Sequence, residues 1–68
     1  MMIYRNIKAI ADKKGMAIRT VEEKAHLGNG VIGKWRKSYP RIVTLIAVAD
    51  ALEVPVMELL KGLNEGRT

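Results

Sequence analysis

Gly28-Asn29-Gly30-Val31-Ile32-Gly33-Lys34-Trp35-Arg36-Lys37 is the stretch on which the fold of this chain turns. Ile32 and Trp35 stand three apart, the spacing of one helical face, and the segment ends in positive charge. The pattern predicts a short helix from about Asn29 to Lys37 that buries those two side chains. Gly30 and Gly33 each weaken such a helix by roughly 0.8–1 kcal/mol relative to alanine. It therefore has to be held in place by the rest of the domain. Gly28-Asn29-Gly30 also has the composition of a hairpin turn, but neither flank alternates as a strand would, so the helix is the preferred reading.

Working outward, the preceding residues predict two more helices. The first runs from about Ile3 to Lys14, with Ile3, Ile7, Ile10 and Ala11 on one face. Lys13 and Lys14 suit its C-terminal dipole, and Gly15 is a natural left-handed stop. The second runs from about Ile18 to Ala25 and buries Val21 and Ala25 with help from Ile18. Thr20-Val21-Glu22-Glu23 reads as a capping box with a later start, but that start leaves barely one turn, so Ile18 is preferred. His26 and Leu27 form the next turn, with Leu27 inward.

Beyond the decapeptide, Pro40 ends a connector and a fourth helix spans about Ile42 to Leu52. It is apolar nearly all round (Ile42, Val43, Leu45, Ile46, Val48, Ala49, Leu52), which suits the centre of a bundle or a seam against a second copy. Pro55 suits the first position of a fifth helix carrying Val56, Leu59 and Leu60. The expectation is an all-α domain, a compact bundle of five short helices over residues 1–61, followed by a short flexible tail at 62–68.

With 68 residues the chain makes one domain. A core of this size rarely yields more than roughly 3–5 kcal/mol, so self-association is an expected source of added stability. There is no cysteine and one histidine, which excludes disulfides and leaves no cysteine or histidine set for a metal. The longest apolar run, Ile42 to Ala49 with Thr44 in it, is far shorter than the roughly 20 residues of a membrane span. The N-terminus lacks the order of a secretory signal, so the chain reads as soluble and cytoplasmic.

The net charge of +5 is unevenly placed. Residues 1–41 carry ten Lys/Arg against Asp12, Glu22 and Glu23, whereas residues 42–68 carry Lys61 and Arg67 against Asp50, Glu53, Glu58 and Glu65. A polyanion on one side and packing or pairing on the other fit that split; a basic but idle surface fits it too. Lys34, Arg36, Lys37 and Arg41 place four positive charges within eight residues, with no acid among them.

Taken in order, these pieces resemble the lambda-repressor-like helix-turn-helix family, the Cro and phage-repressor or xenobiotic-response-element type. The resemblance covers about Ile7 to Leu60. Lys14 to Ala25 resembles the end of the family's first helix and its second. Leu27-Gly28-Asn29-Gly30-Val31-Ile32-Gly33-Lys34-Trp35 resembles its turn and recognition helix. Pro40, Leu45, Val48, Ala49, Leu52, Val54 and Leu59 resemble its fourth helix and the remainder of its core. The chain departs from the pattern at Ile18, where glutamine is frequent, and at His26, where glycine is usual. It departs again at Gly28, where Ser or Thr is usual, and at Gly33, where a polar side chain is common. The connector from Trp35 to Pro40 is also short.

The resemblance implies a transcriptional regulator, a small repressor of phage or mobile-element type, that reads double-stranded DNA in the major groove with its third helix. Carried over position by position, Asn29, Gly30 and Lys34 face base edges. Asn29 suits adenine and Lys34 suits guanine, although Asn29 is equally suited to capping the helix. Gly28 and its neighbours offer backbone N–H groups to a phosphate at a helix N-terminus. Arg36, Lys37, Ser38, Tyr39 and Arg41 flank the groove as phosphate contacts. The expected partners are a pseudo-palindromic operator and a second copy of the chain, paired through Val43, Ile46, Val56 and Leu63.

Other roles for these residues are weaker. Trp35 is spaced for the core rather than for base stacking, and His26 has no catalytic or ligand partner. Glu22 and Glu23 face different ways and form no acid–base pair. No nucleophile, metal cluster or phosphate-gripping loop is evident, so neither an enzyme nor a cofactor is expected. The alternative from another class is a protein-interaction module, antirepressor or antitoxin-like, on the same fold.

Overall fold

The computed structural model describes residues 2–62; Leu63, and the tail expected over 62–68 apart from Gly62, lie outside the described residues. Helix α1 (Met2–Lys13) forms where apolar side chains recur at helical spacing, and it buries Ile3, Ile7 and Ala11. Helix α2 (Ile18–Lys24) starts at the earlier of the two expected positions, with Ala17 extended before it and no side-chain cap. Helix α3 spans Ile42–Leu52, and α4 is a single turn, Val56–Leu59. Pro55 stands just before α4 rather than as its first residue, a one-residue difference of the kind common at helix ends.

The three longer helices end alike, on a residue in the left-handed region: Gly15 (φ 70°), His26 (φ 62°) and Glu53 (φ 59°). After α1, the Met16 N–H donates to the Ala11 carbonyl at 2.8 Å and Gly15 to Asp12 at 3.1 Å. After α2, Leu27 donates to Glu22 at 2.8 Å and His26 to Glu23 at 3.1 Å. After α3, Val54 donates to Ala49 and Glu53 to Asp50, both at 3.0 Å. These paired bonds are Schellman motifs, which satisfy carbonyls that the helix itself leaves open. At His26 and Glu53 the motif accepts a non-glycine left-handed residue, at a cost of roughly 1–2 kcal/mol.

Among the described residues there are four α-helices and no strand, not five α-helices. The helix expected from Asn29 to Lys37 is instead a turn followed by a 3-10 helix, Ile32–Arg36. Two features of the sequence explain the correction. Gly30 and Gly33 depress α-helix propensity, and residues three apart eclipse in a 3-10 helix, so Ile32 and Trp35 point the same way there. Both are buried.

Helix α1 packs against the 3-10 helix, α2 and α4, and α3 packs against α2 and α4. The core they share joins Ile3, Ile7, Ala11, Val21, Ala25, Ile32, Trp35, Leu45, Val48, Ala49, Leu52 and Leu59. The apolar circumference of α3 is only half used: Ile42, Val43 and Ile46 remain 60%, 75% and 45% exposed. No helix among the described residues is long and apolar enough to cross a membrane.

One polar tether joins the first element to the last. The Asn6 amide donates to the Leu59 carbonyl at 2.9 Å and to the Lys61 carbonyl at 2.8 Å, satisfying acceptors past the end of α4 that its single turn cannot. Replacing it, Asn6→Ala, is expected to cost about 1–2 kcal/mol. In a domain of this size that lowers Tm by about 4–8 °C for each kcal/mol. Thermal unfolding followed by circular dichroism measures the shift, and an unchanged Tm would remove Asn6 from the account of stability.

Candidate nucleic-acid interface

The segment from Gly28 to Arg41 is built on one buried charge. Glu22, on α2, is 2% exposed. Its Oε1 accepts the Gly30 N–H at 3.2 Å and its Oε2 accepts the Ile32 N–H at 3.0 Å. Its own carbonyl accepts the Leu27 N–H. One residue thus receives three backbone donors from the next ten residues of chain. The Arg19 guanidinium lies 3.8 Å from Oε1 and 3.6 Å from the exposed Glu23 carboxylate, and balances this buried charge from the solvent side.

Around that anchor, Gly28 to Val31 form a β-turn closed by Val31 N–H to Gly28 O at 3.3 Å. Gly30 sits at φ 89°, where glycine is at home and an L side chain is strained. With Asn29 at negative φ, this is the pattern of a type II turn. The turn leads into the 3-10 helix, where Lys34 N–H donates to Val31 O at 3.2 Å. Beyond it, Lys37 and Ser38 donate backbone N–H groups to the Lys34 carbonyl, and the Ser38 hydroxyl donates to the same oxygen at 3.2 Å.

The expected base-edge residues Asn29, Gly30 and Lys34 are all exposed, as are the expected phosphate residues Gly28, Arg36, Lys37, Ser38, Tyr39 and Arg41. They lie along one turn, one short helix and its connector. Ion pairs among the described residues join Lys8 to Asp12, Arg19 to Glu22 and Glu23, and Lys61 to Glu58. None involves Lys34, Lys37 or Arg41.

Three expectations need correction. No helix begins at Asn29, so Asn29 is not an N-cap; the residue before the 3-10 helix is Val31, with no side-chain cap. Nor does a helix N-terminus stand at Gly28 to Gly30, and the Gly30 and Val31 N–H groups are already given to Glu22 and to the Gly28 carbonyl. Ser38 spends its hydroxyl proton on Lys34 and in this conformation has none for a phosphate.

Arg36 is held from α1, a contact that sequence reading missed. Its guanidinium carbon lies 4.8 Å from the centre of the Tyr4 ring, and its Nη2 lies 3.4 Å from the Tyr4 hydroxyl. Such stacking fixes the planar cation against an aromatic face. No spacing rule joins residues 32 apart, so sequence carried no local signal for it. Glu22 was legible in principle: it lies three before the buried Ala25, within a turn of Val21.

Of the expected dimer residues, Val43 and Ile46 are exposed on α3, whereas Val56 is half-buried against the core. Leu63 lies outside the described residues.

Glu22→Ala would leave the Gly30 and Ile32 amides without their acceptor, at about 1–3 kcal/mol for a buried donor. Against a core that supplies only a few kcal/mol, denaturant titration is expected to show most of the stability gone. A midpoint close to that of the unsubstituted chain would show that the carboxylate is replaceable by water. Comparisons with family models, with curated proteins and with solved structures give no match to this chain.

Proposed function

We propose that this chain is a sequence-specific, double-stranded-DNA-binding transcriptional regulator of the lambda-repressor-like helix-turn-helix type. In this reading α2 and the 3-10 helix are the paired elements, and the Gly28–Val31 turn with Lys34 enters the major groove. The observation that carries the reading is the set of exposed cations Lys34, Arg36, Lys37 and Arg41. Their stretch is free of acids, rooted by Ile32 and Trp35, and preceded by a rigid turn that presents an exposed Asn29.

The geometry sets the scale of recognition. A five-residue 3-10 helix is about 10 Å long at roughly 2.0 Å per residue, comparable with the roughly 12 Å width of the major groove. Few side chains can reach base edges from it. Asn29 and Lys34 supply sequence preference; Lys37, Arg41 and the Tyr4-stacked Arg36 supply phosphate contact. A second copy paired through the exposed α3 residues Val43 and Ile46 would double the contact and set half-sites about one helical turn apart.

Ile42 and Val43, exposed immediately after Arg41, favour one second reading. Cationic and apolar side chains side by side also suit an acidic, apolar protein segment, as an antirepressor or antitoxin-like module would need.

Selection of bound duplexes from a random pool at near-physiological salt tests the first reading, and an enriched inverted repeat is the expected result. Affinity for the selected site should then fall with salt at a log–log slope of about −0.9 per phosphate contacted. Lys37→Ala is expected to weaken binding to all duplexes alike. Asn29→Ala is expected to erode preference at one base position by about 1–3 kcal/mol. A folded protein that enriches no sequence would sink this reading and leave the protein-interaction module.

A further inference from the structure

We infer that Glu22 is a positioning residue for base recognition: it selects the turn type at Gly28–Val31 and thereby the direction in which Asn29 is presented. The inference rests on the DNA-binding reading above.

The selection acts on the peptide unit between Asn29 and Gly30. It is the central amide of the β-turn, and its orientation is what separates a type II turn from a type I turn. In type II the residue after it takes a φ near +80°, in type I near −90°. Gly30 stands at +89°. Residues 28 to 30 are exposed and have no apolar root of their own. Among the described residues, the bond that reaches this amide from outside the turn is the one from Gly30 N–H to Glu22 Oε1. Flipping the peptide would point a carbonyl oxygen at a carboxylate. The ionised side chain therefore admits one turn type and repels the other.

The second oxygen makes the selection rigid. Oε2 is fixed on the buried Ile32 amide, at the first turn of the 3-10 helix, so Oε1 cannot follow a moving turn. A glutamine of the same shape lacks this property. Its one oxygen can serve Ile32, but its NH2 would then face the Gly30 N–H, donor to donor, and that clash favours the flipped peptide. The substitution spares the core and withdraws only the selection.

The test compares Glu22→Gln and Gly30→Ala with the unsubstituted chain. A Cβ at Gly30 would meet no protein atom within 4 Å, so in the free protein Gly30→Ala removes no contact and perturbs the turn through φ, which the residue-30 amide resonance reads without DNA. Three measurements are made on each: thermal unfolding, the amide NMR resonances of residues 28 to 32, and binding to the selected duplex and to its single-base variants. Both variants are expected to remain folded, to move the residue-30 amide resonance and to keep the salt slope. Both should lose about fivefold or more of the preference at the base that Asn29 reads. Adding Asn29→Ala to Glu22→Gln should then cost no further preference.

A merely structural Glu22 would lower the melting temperature and weaken all duplexes equally, with base preference intact; that pattern overturns the inference. So does an unmoved residue-30 amide in Glu22→Gln. If the unsubstituted chain prefers no duplex, the DNA reading fails and the inference falls with it. The NMR arm then still reports whether the carboxylate sets the turn, so the two failures are distinguishable.

Discussion

The carboxylate of Glu22 is the constraint on which the surface of this domain depends. Burying an ionised group is costly unless it is fully bonded, and here both oxygens accept backbone amides from one short segment. That segment could not hold itself. Its glycines oppose an α-helix, and its exposed residues contribute little to the core. A single buried anion thus replaces the several apolar contacts that would otherwise be needed to fix a glycine-rich turn. Because hydrogen bonds to charged groups are stronger than those between neutral ones, one side chain suffices.

Charge and apolar surface are divided in the same spirit. Asp12, Glu22, Glu23 and Glu58 are drawn into local pairs with Lys8, Arg19 and Lys61. The stretch from Lys34 to Arg41 is left cationic, and Arg36 within it is steadied by the Tyr4 ring. On the far side of Arg41 the chain turns apolar, and α3 carries three large side chains into solvent. In a domain with so small a core, leaving Ile42, Val43 and Ile46 uncovered forgoes burial worth roughly 25 cal/mol per Å².

Much of this was readable from periodicity. Ile3, Ile7 and Ala11 placed α1, the apolar run from Ile42 to Leu52 placed α3 though not its inner face, and Ile32 with Trp35 placed two core anchors. The stop at Gly15 followed from helix-ending rules, and the resemblance marked His26 as standing where glycine is usual. The helix type at Ile32–Arg36 was not settled by spacing, because three-residue spacing serves both helix geometries; Gly30 and Gly33 tip it away from the α-helix. The links from Asn6 to Leu59 and from Tyr4 to Arg36 were invisible for a simpler reason. They are polar contacts across the whole fold, and periodicity reports only which face is apolar.

The Asn6 tether bears on how the chain is made. A nascent polypeptide emerges from its N-terminus, and α1 is complete long before its amide can meet the carbonyls of Leu59 and Lys61. Until the last turn is synthesised, Ile3 and Ile7 lack the Leu59 side of their core. A chain cut short before α4 would lack both the tether and the Leu59 side of the core, and so would leave apolar surface exposed.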